Sequence, residues 1–426
     1  MKKYTIKHIN IDYYYHKLNN GLRVYLIPLK KKQIRANFVT FYGSKHQIFR
    51  TSKEKKYTKT PAGIAHFLEH KLFENEKISP FKFFAKTGTI CNAYTSYDQT
   101  AYHFTGPFGF KKNISYLLDN VQSVYLTDNN VLKEKGIIKQ EIRMRDNNPH
   151  ISLFDNMMDS ICYHYGIKNS IIGDESDIDR ITKDILLKCY HCFYHPKNMF
   201  LVISGNINPE ETISIIEQNQ ASKKFDDDFK MQVFEKKEPD QVKLKKKMLY
   251  KNVEVPKVSL NYKINVENMN LTEAKKRIYF NLYCNAKLGW SSKLNVDLVN
   301  QNLIEDDLGH YCFYEKDHII LNIFIETSHL RKVINMVKKR IENFDIDENL
   351  FERKKKALLS YYLYLPDKVS EINDLFVKSI VAQGDFDPNI IEKVKSINYQ
   401  EFNSYFSNLN LEHNNYVIVK KDLQKK

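Results

Sequence analysis

Two runs of alternating apolar and polar residues near the start of the chain predict β-strands. The first run follows a turn at residues 19–21, and the second covers residues 36–42. A period of two is that of a strand with one buried face. The predicted inward positions are Leu22, Val24, Leu26, Ala36, Phe38, Thr40 and Tyr42. Apolar residues then recur with the period of a helix at about 110–127, 131–145 and 150–165, so the pattern predicts a sheet covered by helices.

Length and composition predict a folded chain with two domains. Its 426 residues are more than one hydrophobic core usually contains. A hydrophobic fraction of 42% is enough to form such cores. Residues 221–248 are charged and lack periodicity, which is typical of a linker. Residues 190–203 and 402–419 both run from a helical pattern through a short break into a strand pattern, which indicates an internal duplication. We predict an N-terminal domain at 1–220 and a homologous C-terminal domain at 249–426, both of α+β class with a mostly antiparallel sheet.

Two histidines and a glutamate stand close together in the segment His-Phe-Leu-Glu-His that begins at His66. On a helix, His66 and His70 lie on one face with Glu69 beside them. Thr60 as a cap and Pro61 in the first turn predict where that helix begins. Neutral imidazoles bind zinc, and a neighbouring carboxylate can take a proton from a zinc-bound water, the arrangement that hydrolyses peptide bonds. Ordinary core or surface histidines are the alternative, and a zinc site also needs a third protein ligand.

A second helical pattern at residues 131–142 supplies two candidates for that ligand. Glu134 and Glu141 are seven residues apart, so both carboxylates lie on one face of the helix. One of them can bind the metal while the other orients a ligand histidine. A solvated charged face on a lysine-rich helix is the alternative interpretation.

A cluster of two cysteines and a histidine also has the spacing of half a zinc site. Cys189 and Cys192 are three residues apart, and His195 follows after three more. No second pair of ligands stands near them in the sequence, and the segment has the pattern of an amphipathic helix that ends before Pro196. We therefore expect these cysteines to be buried thiols.

Charge and cysteine usage bear on partners and location. The formal net charge is +15, but the excess of lysine is spread along the whole chain, and no nucleic-acid-binding module is recognisable, so we expect no nucleic-acid partner. The first ten residues lack the apolar core of a signal peptide, and no run reaches the roughly 18 apolar residues of a membrane span. The six cysteines are scattered, which is consistent with free thiols. We expect a cytoplasmic protein without a membrane partner.

Several of these segments together resemble the insulinase/pitrilysin metallopeptidases, the inverzincins, which include the mitochondrial processing peptidases. Residues 62–70 look like the metal-binding helix of that family, and residues 92–102 look like the pair of strands that follows it. Glu134 and Glu141 reproduce the two family glutamates seven residues apart, and residues 193–206 resemble the close of the first domain. The resemblance covers the whole chain and is strongest up to about residue 210.

The resemblance implies one Zn²⁺ per chain, held by His66, His70 and Glu141. It also implies that Glu69 is the general base and that Glu134 supports the site. Glu141 follows His70 somewhat sooner than in the better-known members, as in a bacterial branch of processing-peptidase-like proteins, and Glu134 remains an alternative third ligand.

A substrate strand and a partner subunit are further implications. The strand of Asn92, Ala93, Tyr94 and Thr95 resembles the family's edge strand, which pairs with an extended peptide substrate by β-augmentation. Residues 288–294 resemble a family turn of glycine and serine, but the arginine and tyrosine that commonly follow it are not evident, and Tyr311 and Arg331 are the nearest candidates. In two-subunit relatives a second chain supplies those groups, so we expect a homo- or heterodimer with a related subunit.

The sequence therefore predicts a zinc-dependent endopeptidase of inverzincin type. One alternative is a non-catalytic structural or assembly subunit of the same family, and the intact set of His66, Glu69, His70 and Glu141 argues against it. A second alternative is the small zinc lyase of autoinducer synthesis, which also uses His-x-x-Glu-His. That enzyme resembles one domain only, so a chain with two predicted domains fits it poorly.

Overall fold

The computed structural model describes residues 1–74 and 78–422. The strands are β1 (Lys2–Ile6), β2 (Ile11–Lys17), β3 (Arg23–Pro28), β4 (Ile34–Thr40), β5 (Ile48–Thr51), β6 (Thr58–Lys59), β7 (Ile90–Thr95), β8 (Thr100–Gly106), β9 (Met199–Gly205), β10 (Met231–Val233), β11 (Lys246–Lys251), β12 (Lys257–Asn265), β13 (Gly309–Tyr314), β14 (His318–Glu326) and β15 (Asn414–Lys421). The helices are α1 (Ile64–Leu72), α2 (Pro80–Ala85), α3 (Phe110–Val121), α4 (Asp128–Asn147), α5 (Pro149–Ile161), α6 (Glu175–Arg180), α7 (Lys183–Phe193), α8 (Pro209–Ala221), α9 (Glu273–Lys287), α10 (Lys293–Asn300), α11 (Leu330–Glu342), α12 (Glu348–Tyr364), α13 (Val369–Gln383), α14 (Ile390–Ser396) and α15 (Tyr399–Phe406). Within these described ranges, none of the helices is both long enough and apolar enough to cross a membrane.

The strands and helices predicted from the alternation are present. All seven predicted inward positions of the two opening strands and their ends are buried. Helices α3, α4 and α5 stand where the helical period was found. Helix α3 ends at Val121 and α5 at Ile161, so their predicted extensions to residues 127 and 165 are wrong. Val124 and Leu126 continue the apolar period because they pack against the core from a non-helical segment. Apolar spacing therefore identified the buried residues more reliably than the end of the helix.

The first compact unit consists of residues 1–142, 170–235 and 363–389. Its seven-stranded sheet has the order β1-β2-β3-β9-β4-β8-β7, in which only β3 and β9 pair in parallel. Ala36 and Phe38 on β4 share a buried core with Phe67 and Leu68 on α1. Asn37 lies between those two β4 residues and therefore points to the opposite face, where α13 packs. The strands β10, β5 and β6 form a small second sheet in this unit.

The second compact unit consists of residues 143–169, 236–362 and 390 onwards. Its five-stranded sheet has the order β11-β15-β12-β14-β13, with a parallel pair only between β11 and β15. Helices α9, α10, α11 and α15 contribute to its buried core together with β12 and β14. Both units are thus mostly antiparallel sheets with packed helices, which confirms the predicted α+β class.

Each compact unit contains a helix from the other half of the sequence. Helix α13 belongs to the first unit and α5 to the second. The predicted division at residues 221–248 treats each half as continuous, whereas the compact units exchange these two segments. Both helices have an apolar stripe, such as Ile372 and Phe376 on α13 or Leu153 and Met157 on α5. The stripe predicts a packed helix but carries no information about which sheet it covers.

A buried network of polar side chains fixes α13 on the first sheet. Asn37 Nδ2 donates to Asn373 Oδ1 over 2.7 Å, and Asn373 Nδ2 donates to Ser204 Oγ over 2.9 Å. Asn373 Nδ2 also lies 3.1 Å from the carbonyl oxygen of Arg35. A buried amide that loses its partner costs free energy, so this network selects one register of α13 on β4 and β9.

The second unit holds α5 by a similar network. Asn415 Nδ2 on β15 donates to Ser160 Oγ on α5 over 3.0 Å, and Asn261 Nδ2 on β12 donates to Asn415 Oδ1 over 2.8 Å. An asparagine on a central strand therefore positions the exchanged helix in both units.

We predict that Asn373→Ala lowers the free energy of unfolding by about 2 kcal/mol or more, because it leaves the buried Asn37 amide without its acceptor and removes one of the two hydrogen bonds of the Ser204 hydroxyl. Urea denaturation followed by circular dichroism measures the change. The control is Lys378→Ala, an exposed position on α13, which is expected to stay within about 0.5 kcal/mol of wild type. Equal losses in both variants would contradict the role given to the network.

Candidate metal centre

Helix α1 begins with a backbone turn that only glycine adopts without strain. The cap residue is Gly63, which has φ +81° and contributes no side-chain hydrogen bond. A Cβ atom at Gly63 would lie 2.3 Å from the carbonyl oxygen of Ile172. The prediction that Thr60 caps the helix and Pro61 enters its first turn is wrong, because the hydroxyl of Thr60 instead faces the Gln47 carbonyl oxygen at 3.3 Å. The close approach of Ile172 to Gly63 therefore sets the start of α1, although Thr60 and Pro61 are residue types that favour a helix start three residues earlier.

His66, His70 and Glu141 converge from α1 and α4. Their nearest ligand atoms all lie within 4.8 Å of one another. Glu141 Oε2 lies 3.8 Å from His66 Nε2 and 3.7 Å from His70 Nε2. Donors bound about 2.1 Å from one ion in tetrahedral geometry stand about 3.4 Å apart, so a small contraction would let all three bind it. Two imidazole nitrogens and a carboxylate oxygen also form a donor set that zinc accepts, so these residues fit the metal.

Glu134 lies on the other side of the His70 ring, apart from the donor group. Its Oε1 is 2.9 Å from His70 Nδ1, so the ring donates from Nδ1 and turns Nε2 toward Glu141. Burial alone would lower the pKa of His70, but the hydrogen bond to Glu134 and the charges of Glu134, Glu69 and Glu141 outweigh it and raise that pKa. The same carboxylates would favour a metal cation.

Glu69 faces the same space and is held by β7. Thr95 Oγ1 donates to Glu69 Oε2 over 2.6 Å, and Thr95 itself lies 3.2 Å from the Thr100 hydroxyl. Burial raises the pKa of Glu69, although the Thr95 hydrogen bond and the neighbouring His70 act in the opposite direction. A carboxylate with a raised pKa is a stronger base than an exposed one.

Lys71 is a residue of the site that the sequence analysis missed. Its side chain is 0% exposed and forms an ion pair with Glu74. Its Nζ also lies 3.4 Å from the Asn130 carbonyl oxygen and 3.9 Å from Glu134 Oε2. The sequence did contain an indication of this role. Lys71 falls on the apolar stripe of α1, four residues after Phe67 and three after Leu68, and a lysine at a buried position needs polar or charged partners.

A cleft of about 440 Å³ opens beside His70 and Glu69. Its walls carry the polar groups of the site and several apolar side chains that the sequence analysis did not single out. The lining residues are Glu69, His70, Phe73, Glu74, Ser79, Phe81, Asn92, Ala93, Lys133, Glu134 and Ile137. The cleft therefore places space for a substrate against Glu69 and against His70, one of the candidate metal ligands.

The predicted substrate strand is the edge strand β7 of the first sheet. Asn92 and Ala93 line the cleft, and the Ala93 backbone N–H donates to Asn92 Oδ1 over 2.9 Å. Thr95 reaches Glu69, whereas the Tyr94 hydroxyl accepts from Gln99 Nε2 over 3.0 Å. Because side chains alternate along a strand, Tyr94 points away from the face that Thr95 shares with Glu69. The structure places Asn92 and Ala93 in the cleft lining and Thr95 on Glu69, and Tyr94 is not among these residues.

The other candidate groups lie elsewhere. Cys189 and Cys192 are buried in the core of the first unit, and the His195 ring stacks on Phe229 at 4.1 Å. In the described ranges, residues 66, 70 and 141 form the group of three metal-binding side chains, and the cysteines belong to no such group. Tyr311 is exposed on β13. Arg331 is exposed in the first turn of α11.

Two models of one protein family match the chain between residues 55 and 358. The family model described as Insulinase (Peptidase family M16) matches residues 55–175, and the one described as Peptidase M16 inactive domain matches residues 180–358. The solved structure of a putative M16-like peptidase from Alicyclobacillus acidocaldarius superimposes with a TM-score of 0.91 at 28% identity, over 98% of this chain and 100% of that one.

Two similar proteins are named zinc proteases. An uncharacterized zinc protease, YmfH, of Bacillus subtilis (strain 168) is 38% identical over 295 residues, which are 69% of this chain and 69% of that protein. The zinc protease PqqE of Helicobacter pylori (strain ATCC 700392 / 26695) is 27% identical over 62% of this chain and 58% of its own length.

We predict opposite effects of one chemical change at two glycines. Gly63→Ala should lower the free energy of unfolding by about 2 kcal/mol or more, because it combines a left-handed backbone with a clash against Ile172. Gly136→Ala should raise it by about 0.5–1 kcal/mol, because α4 is helical there and, apart from the backbone of its own helix, no atom lies within 4 Å of the new Cβ. Denaturant unfolding measures both, and effects of the same sign would contradict the turn's role.

Proposed function

Because the chain belongs to the insulinase (M16) family of peptidases, we propose that it is a zinc-dependent endopeptidase that cleaves extended peptides. The observation that carries the proposal is the convergence of His66, His70 and Glu141 beside the buried carboxylate of Glu69. Relatives that are named zinc proteases support the choice of metal and of reaction.

In this proposal His66, His70 and Glu141 hold one zinc ion per chain. A zinc ion bound there would act as a Lewis acid on the scissile carbonyl and on the attacking water. Glu134 orients His70 through Nδ1 and leaves Nε2 free to bind the metal. We favour Glu141 over Glu134 as the third ligand because the Glu134 carboxylate is already engaged on the far side of the ring.

Glu69 is the general base of the proposed reaction. The hydrogen bond from Thr95 fixes its Oε2, so the carboxylate cannot rotate away from the histidine face. Glu69 takes a proton from the attacking water and later returns it to the amine that leaves. Burial of the Glu69 side chain raises its pKa, which makes the carboxylate a better proton acceptor at neutral pH.

The edge strand β7 binds the substrate backbone. An extended peptide that adds to β7 would lie along the cleft with its scissile bond beside Glu69. The Ala93 N–H donates to the Asn92 side chain over 2.9 Å, and β7 has a free side because it is the edge strand of its sheet. A substrate carbonyl oxygen would replace Asn92 Oδ1 as the acceptor of the Ala93 N–H.

A related second subunit and a cytoplasmic location complete the proposal. The partner is suggested by the second half of the chain, which matches the family's inactive domain and carries Tyr311 and Arg331 as the nearest equivalents of the missing pair. Six free cysteines support a reducing compartment. A non-catalytic structural or assembly subunit is the alternative, and the complete donor set with its base disfavours it.

The proposal predicts that substitutions of the general base abolish turnover but keep the metal, whereas substitutions of the ligands lose the metal. Glu69→Gln should keep bound zinc but lose cleavage of a quenched peptide library, because only the proton acceptor is removed. His66→Ala and Glu141→Ala should lose the zinc itself, and Glu134→Gln should weaken its binding by about 10- to 100-fold. Zinc content by elemental analysis and fluorescence release measure these effects. Cleavage that survives Glu69→Gln would refute the assignment of the base, and zinc that survives Glu141→Ala would move the ligand set.

The edge-strand assignment predicts opposite effects at two neighbouring residues. Ala93→Pro should raise KM for long peptides by about three- to tenfold, because it removes one donor of the edge while proline remains compatible with an edge strand. Asn92→Ala should lower KM, because the side chain that competes for the Ala93 N–H is gone. Steady-state kinetics with one peptide substrate measures both. An unchanged KM in Ala93→Pro would contradict backbone pairing at this position.

A further inference from the structure

Two cysteines of the second unit meet in space although they are 28 residues apart in the sequence. Cys284 Sγ on α9 lies 3.5 Å from Cys312 Sγ on β13. A disulfide requires the sulfurs to approach to about 2.05 Å, a displacement that the two side chains can share by rotation about their χ angles. Among the described strands, β13 pairs with β14 alone and forms an edge of its sheet, so its backbone can also adjust.

The two thiols differ in their access to solvent. Cys284 is 1% exposed within the second core, whereas Cys312 is only partly buried and adjoins the exposed Tyr311. The hydrogen bond to Cys312, together with burial, raises the pKa of the Cys284 thiol. A small oxidant from solvent therefore reaches the Cys312 thiol before the more deeply buried Cys284 thiol.

We infer that Cys284 and Cys312 form a reversible disulfide, with Cys312 as the thiol that reacts and Cys284 as the thiol that resolves. With hydrogen peroxide as the oxidant, the Cys312 sulfur attacks one oxygen, the O–O bond breaks, and a sulfenic acid and one water form. The Cys284 sulfur then attacks the Cys312 sulfur, the S–O bond breaks, and the second water leaves with the Cys284 proton. Two thiols thus reduce one peroxide to two waters, and a dithiol reductant reverses the bond by exchange.

The bond would tie α9 to the edge strand of the second sheet. It closes a loop between residues 284 and 312, and a cross-link of that span restricts the unfolded chain more than a short one. Cys189 and Cys192 offer a contrast within the same chain, because they lie one turn apart on α7 and are both buried in the first core. A bond between those two would constrain no second element. The pairing of Cys284 with Cys312 does not depend on the proposed peptidase activity.

The test treats the full chain, purified under reducing conditions, with hydrogen peroxide, and then alkylates the remaining thiols after denaturation. We expect four of the six cysteines to be alkylated and the tryptic peptides Ile278–Lys287 and Leu294–Lys316 to be joined. Dithiothreitol should restore all six thiols. The midpoint of thermal unfolding of the oxidised chain should rise by roughly 5 °C.

Three single variants assign the chemistry. In Cys312→Ser the peroxide should no longer consume Cys284, and in Cys284→Ser the sulfenic acid on Cys312 should persist and react with dimedone. Cys192→Ser is the matched control and should still lose two thiols to the same pair of peptides. Six reactive thiols after treatment of the wild type, or equal oxidation of Cys284 in Cys312→Ser, would overturn the inference.

Discussion

The hydrogen bond between Glu134 and His70 is the interaction on which the candidate metal centre depends. It joins α4 to α1 at 2.9 Å and fixes which nitrogen of the ring faces the donor group. Glu141 then follows two helical turns later, opposite both Nε2 atoms. Without that contact the His70 ring could turn and the three donors would not share one point. The Lys71 Nζ lies 3.9 Å from Glu134 Oε2, while His70 Nδ1 lies 2.9 Å from Glu134 Oε1, so the Glu134 carboxylate is held from two sides.

The rigidity of this arrangement comes from the sheet beneath it. Phe67 and Leu68 are fully buried, and burial of a side chain of this size contributes about 1.5–3 kcal/mol, so the register of α1 on the sheet is strongly fixed. Thr95 on the edge strand then reaches Glu69. On the opposite face, the Asn37 and Asn373 network holds α13, a helix that enters the unit from the distant half of the sequence. The base, the ligands and the substrate strand are therefore parts of one packed body.

Periodicity and spacing predicted what is local and repeated. The inward positions of β3 and β4, the helical face of His66 and His70, and the shared face of Glu134 and Glu141 all follow from fixed helical and strand periods. Contacts between distant segments could not be predicted in this way. The carbonyl of Ile172 decides that α1 starts after Gly63, and α13 packs on a sheet that its own sequence does not identify. The partnership of Lys71 with Glu134, and that of Cys284 with Cys312, likewise exist only in the folded chain.

The central claim is that a zinc ion is bound by two imidazoles and one carboxylate on α1 and α4. X-ray absorption at the zinc edge of the purified chain tests it directly. The account predicts nitrogen and oxygen donors at about 2.0–2.2 Å, no sulfur shell near 2.3 Å, and loss of the signal in His66→Ala. A sulfur shell would place the metal on cysteine, and a spectrum unchanged by His66→Ala would contradict the assigned ligands.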